Sequence, residues 1–192
     1  MYHQGNRELQ DAFESRSLAD RLEQTLRHSA FNEADAKFIA EQSFFFLATA
    51  DSEARPDCSF KGGPPGFAQV VAPEELIFPD YDGNGMFKSL GNIAVNPHVG
   101  LLFISMGEQP RRLRVNGEAE VLRDDPRMAS IPGAQLLVRV RPVDIFPNCP
   151  RYIPSMQVEA PSPYAPKVDE APLEPTWKSF DAFKDVVPGR RR

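Results

Sequence analysis

The sequence predicts a mainly β protein, an antiparallel β-barrel flanked by helices. Three observations carry that prediction. Six or seven short segments, apolar or alternating, recur at hairpin spacing between Phe44 and Phe146. Only one helical stretch interrupts them, over residues 86–95. A strand–helix–strand alternation is missing, which argues against a doubly wound parallel sheet. The chain divides into an N-terminal helical extension (1–32), the barrel (33–153) and a proline-rich arm (154–192).

Taken in order, Leu9, Phe13, Leu18, Leu22 and Leu26 fall at helical spacing between charged residues, which predicts one or two amphipathic helices over 8–28. Asn32 is placed to cap a further helix over 33–43, with Phe38 and Ile39 facing inward. The run FFFLATA, residues 44–50, has the length and apolarity of a buried strand. A turn over 51–55 leads to a strand at 56–61, which Gly62–Gly66 (GGPPG) breaks. Strands follow at 67–71, 76–78 and 99–104. A turn at 107–110 sends the chain back through RRLRVNGEAEVL, whose alternation predicts a hairpin. A short helix is expected over 124–128 and a final strand over 136–146, where Pro142 signals a bulge or an edge. Ten of the 19 prolines lie between Pro142 and Pro188, so the last segment reads as an extended arm anchored by Trp177, Phe180 and Phe183. The terminal Gly189–Arg192 reads as a solvated tail.

Bulk properties narrow the function classes. With 192 residues, 41% hydrophobic and 26% charged, the chain can bury a core of ordinary composition. A net charge of −5 argues against a general nucleic-acid binder. Cys58 and Cys149 are too few for a disulfide scaffold or a zinc site, and no metal site is expected. No apolar run reaches membrane length and the first residues are polar, so a cytoplasmic protein is expected. His3, His28 and His98 lie in a tail, a helix end and a strand start, without a hydrolase motif. No catalytic side chain is therefore assigned.

The chemistry-bearing stretch is LIFPDYDGNGMFKSLGNIAVNPHVGLLF, residues 76–103. Asp82-Gly83 and Asn84-Gly85 supply residues that tolerate positive φ. Lys88 and Ser89 then open a helix, whose first turn offers unpaired N–H groups and the positive dipole end. That pattern suits a phosphate cradle; it equally suits a connector with one exposed lysine. Lys61, Lys88 and an arginine among Arg111, Arg112 and Arg114 either converge on an anionic ligand or decorate a solvated face.

The segments FFFLATAD, RPDCSFKGGPPGF, FPDYDGNGMFKSLGNIAVNPHVGLLFI, RRLRVNGEAEVL and FPNCPRYIP, in this order, resemble the pyridoxamine 5'-phosphate oxidase-like family, and more narrowly its bacterial flavin-binding branch. The resemblance covers roughly residues 38–154. It implies a split β-barrel that dimerises, with FMN in a groove between the subunits and a small-molecule substrate.

Position by position, the resemblance puts Ser59, Phe60 and Lys61 along the flavin and its phosphate, and Phe78, Pro79 and Asp80 beside the ring system. It makes Lys88 and Ser89 the phosphate pair, with Asn92 one turn on. Arg112 falls near the pyrimidine edge, where a cation stabilises reduced flavin. Ser89 stands where the oxidase has lysine, which gives Arg55 or Asn84 a share of the phosphate. Trp177 matches an aromatic near the flavin. The oxidase's C-terminal arginine-containing substrate motif has no counterpart, so oxidation of pyridoxamine phosphate itself is not implied. The expectation is an FMN-dependent oxidoreductase; a deazaflavin-dependent reductase and a non-catalytic flavin or haem binder on the same fold are the alternatives.

Overall fold

The computed structural model describes residues 1–168 and 170–189. Of the tail expected at 189–192, residues 190–192 lie outside them. Two helices, α1 (Gln4–Ala12) and α2 (Arg16–Leu26), precede α3 (Glu33–Ala40). The strands are β1 (Phe44–Ala50), β2 (Pro56–Gly62), β3 (Gln69–Ala72), β4 (Glu75–Tyr81), β5 (His98–Ser105), β6 (Arg111–Leu122) and β7 (Ala134–Asn148), with α4 (Lys88–Val95) between β4 and β5. Short 3₁₀ turns occupy Pro126–Ser130 and Thr176–Ser179.

All seven strands form one antiparallel sheet in the order β2-β1-β5-β6-β7-β4-β3. Alternation decides which face turns inward. On β1, Phe45, Leu47 and Thr49 are buried while the residues between them are not. The sheet curls until Phe45 meets Phe78 of β4 at 5.0 Å between ring centroids, and Phe67 and Phe103 close around it at 5.7 and 4.9 Å. Strands second from each end of the sheet thus share one core, yet the edge strands β2 and β3 do not pair with each other. This is an antiparallel split β-barrel. Leu90 and Ile93 of α4 and Phe38 and Ile39 of α3 add to the same core. Each such side chain contributes about 1.5–3 kcal/mol on burial.

Several boundaries differ from the expectations. The helix expected from residue 86 starts at Lys88, because Phe87 takes a left-handed φ of 48° and holds the loop open one residue longer. The strand expected at 67–71 begins at Gln69: Phe67 and Ala68 are core residues on a turn, with the Phe67 amide donating to the Pro64 carbonyl. The last strand runs 15 residues, and Pro142 sits at a bulge rather than an edge, since β7 lies between β6 and β4. Asn116 pairs with Asp144 and Gly117 with Pro142, so Val143 is the extra residue. A Cβ on Gly117 would lie 2.2 Å from the Arg141 carbonyl oxygen, which leaves room for glycine alone.

Helices α1 and α2 bury no residue and leave Leu9, Phe13, Leu18 and Leu22 exposed. They join the barrel through an Arg27–Asp144 ion pair and through His28, which bridges to Ile145 of β7. Among the described residues no helix is long and apolar enough to cross a membrane.

Candidate functional site

Strand alternation separates the β2 residues. Ser59 and Lys61 pair with the inward Leu47 and Phe45, whereas Phe60 pairs with Phe46 on the outer face. Lys61 is therefore carried to the rim of the barrel interior, where the sheet is split. Asp80 shares the inward side of β4 with Phe78, two residues earlier. Burial holds the Lys61 ammonium below its ordinary pKa, against the opposing pull of Asp80. Burial likewise raises the Asp80 carboxyl, opposed by Lys61 and reinforced by Asp82. Lys61 and Asp80 are thus within mutual electrostatic reach without a direct ion pair among the described residues, each shifted toward its neutral form by burial. Tyr81, next in line, is pushed up to about 12 by burial and stays neutral.

The cradle is built from the loop that follows. Asn84 Oδ1 accepts from the Met86 amide at 3.0 Å and bends the chain locally. Phe87, in the left-handed region, serves as the helix cap, and it supplies no side-chain acceptor. No acidic residue occupies the first turn of α4. The helix start is thus left uncapped with its positive end open, next to the exposed Lys88. Ser89 and Asn92 point inward and are buried. Asn92 Nδ2 donates to Thr49 Oγ1 at 3.0 Å, which bolts α4 to β1 and fixes the direction of the helix start.

The remaining expected residues are distributed differently. Phe78 is 1% exposed and committed to the core. Pro79 is buried on the opposite face of β4. Phe60 is 63% exposed and joins Phe44 and Phe46 in an outer aromatic cluster, with ring centroids 5.4–6.1 Å apart. Arg112 lies on β6 opposite Ile104 and Asn148, and its guanidinium donates to the Cys149 carbonyl. It is in a different wall from Lys61 and Lys88. Arg55 is engaged with Asp51 and Glu53 at the β1–β2 turn. Trp177 is half-buried in the arm, and its neighbour Lys178 pairs with Asp82 of the cradle loop and with Glu174.

Two contributors escaped the sequence reading. Thr49 was signalled only by a hydroxyl inside an apolar strand run. The Lys178–Asp82 pair joins residues 96 positions apart and has no local signature. Among the described residues no cluster of His, Cys, Asp and Glu could hold a metal ion.

A family model described as pyridoxamine 5'-phosphate oxidase matches residues 31–146. No curated protein matches the chain. Among solved structures, HupZ of Group A Streptococcus is 15% identical and aligns over 61% of this chain and 93% of its own, with a TM-score of 0.49. An FMN-binding protein from Syntrophomonas wolfei is 11% identical over 73% and 97%, with a TM-score of 0.48. The heme storage protein HutZ from Vibrio cholerae is 20% identical over 55% and 85%, with a TM-score of 0.42.

The Asp80 environment predicts a pH-dependent stability. A carboxyl whose folded pKa is raised favours the native state at low pH, and that advantage is lost as pH rises through the folded value. Asp80→Asn is therefore expected to stabilise the ligand-free protein at pH 7 and to give no advantage below the ordinary carboxylate range, about pH 4. Urea denaturation at the two pH values checks this; a destabilised variant at pH 7 would contradict it.

Proposed function

As the chain belongs to the pyridoxamine 5'-phosphate oxidase family, we propose that it is an FMN-binding oxidoreductase acting on a small molecule. The observation that carries the reading is the uncapped start of α4 with Lys88 beside it, inside the matched span and free of any acidic side chain in the first turn. The donor set fits a phosphomonoester. Backbone N–H groups at a helix start, a free lysine and a backbone bent by Asn84 suit three anionic oxygens.

The residues then divide the work. Lys88 and the first amides of α4 hold the phosphate. Lys61, with Ser59 on the same side of β2, offers a desolvated cation at the barrel rim, and Asp80 holds the opposite charge across from it. Asn92 acts through Thr49, orienting the helix rather than touching the ligand. Trp177 is held near the cradle loop by the Lys178–Asp82 pair. FMN, when bound, supplies the two-electron redox chemistry, and no protein side chain needs to serve as nucleophile. A haem would need an axial ligand, and His98, exposed at the start of β5, is not part of this cradle.

A second copy of the chain completes the site in this reading. Phe44, Phe46 and Phe60 form an aromatic patch on the outer face of β1 and β2, and Leu102 and Ile104 extend it across β5. An apolar sheet face of this kind marks an association surface. The face begins on β2, the strand that carries Lys61, so the partner would lie beside the flavin groove.

Two outcomes are expected. Lys88→Ala weakens FMN binding in a fluorescence titration by roughly tenfold to a hundredfold, the loss of one charge-assisted contact of about 1.5–3 kcal/mol; an unchanged affinity would remove Lys88 from the site. The wild-type protein sediments as a homodimer and Phe60→Arg as a monomer. A wild-type monomer that binds FMN fully would contradict the shared groove.

A further inference from the structure

A half-open cavity lies where β6 begins and β7 ends. Strand β6 opens with Arg111, Arg112 and Leu113, and β7 ends with Pro147 and Asn148; Arg112 pairs with Asn148 and Leu113 with Pro147. The segment leaving α2 crosses above them, pinned by reciprocal backbone hydrogen bonds of 3.0 and 2.8 Å between His28 and Ile145. Helix α3 closes the side with Asp35 and Phe38. These elements line a half-open cavity of about 400 Å³, within the size range of small-molecule sites. We propose that this cavity binds a small organic carboxylate with an apolar body.

Charge selects the anion. Arg111 stacks its guanidinium 4.6 Å from the centre of the Phe38 ring, and no carboxylate pairs with it among the described residues. A cation over a ring face keeps its N–H donors, and no side-chain hydrogen bond engages those of Arg111 among the described residues, which leaves them for a carboxylate. Arg112 spends one nitrogen on the Cys149 carbonyl, while its Nε is buried without a partner. Asp35 is the single carboxylate in the wall and is already engaged: it accepts from the Asn32 amide at 3.1 Å and lies 2.7 Å from His28 Nε2. Arg111 and Arg112 thus both line the cavity, against one committed carboxylate.

The apolar part of the wall selects the body. Leu26, Phe38, Leu113 and Pro147 offer carbon surface on several sides. Asn148 Oδ1, also buried without a partner, belongs to the cross-strand neighbour of Arg112. Of these two unpaired atoms only the donor, Arg112 Nε, can be completed by an anion; Asn148 Oδ1 accepts and calls for a donor instead. Arg111, Phe38 and Leu26 have no part in the cradle at α4, whereas Arg112 is shared with the flavin assignment, so the test rests on Arg111 and Leu26.

Calorimetric titration of the full chain with benzoate, acetate and benzamide tests it. Benzoate is expected to bind with one-to-one stoichiometry, at least tenfold more tightly than acetate, which lacks the body, and than benzamide, which lacks the charge. Arg111→Gln should weaken benzoate at least tenfold and leave FMN binding unchanged. Leu26→Trp, which fills the cavity from its exposed rim, should abolish benzoate binding and serves as the second variant if Arg111→Gln does not fold. Equal affinity for benzoate and benzamide, undiminished benzoate binding in either variant, or no saturable binding by the wild type would overturn the proposal.

Discussion

The contact between Phe45 on β1 and Phe78 on β4 closes the sheet on itself, and the positions of the other parts follow from it. These strands lie second from each end of the strand order, so bringing their rings to van der Waals distance curls the four ladder steps between them into a barrel. Phe67 and Phe103 fill the space around Phe45. Because side chains alternate along a strand, the same closure fixes Lys61, opposite Phe45 on β2, and Asp80, two residues beyond Phe78, at the split rim. Core packing thus places the pair of opposed charges whose desolvation the fold tolerates.

The helix α4 depends on the same core. Leu90 and Ile93 anchor its inner face, and the Asn92–Thr49 hydrogen bond sets its rotation. With those three residues turned inward, the first turn faces the loop at 82–87 and Lys88 faces solvent. The left-handed Phe87 ends the loop without offering a side-chain acceptor. A helix start left open in this way costs stability, because its N–H groups have no protein partner. A phosphate would offset that cost, which ties the local backbone conformation to ligand binding.

Much of the fold was legible because periodicity and turn chemistry are local. FFFLATA, the alternation of RRLRVNGEAEVL and the glycine-containing loop before Lys88 each announced their structure within a few residues. Asn32 was readable as a cap, and its side chain does accept from the Asp35 amide. What sequence could not show was distance. Nothing near Arg112 indicates that its guanidinium reaches the Cys149 carbonyl, 37 positions away, and nothing near Phe78 indicates that its ring is wholly committed to closing the barrel. Boundaries failed where tertiary contacts override propensity: Phe67 has strand character but is drawn into the core on a turn, and the bulge at Val143 lets Pro142 sit in an interior strand.

The central claim is that the cradle at the start of α4 holds the phosphate of FMN. The visible absorption spectrum of the purified protein, recorded before and after addition of FMN, with the mass of any released cofactor, tests it most directly. The account predicts a flavin spectrum, either as purified or after addition, and a released mass equal to that of FMN. A protein that stays colourless with FMN, or that releases a deazaflavin or haem in its place, would contradict it.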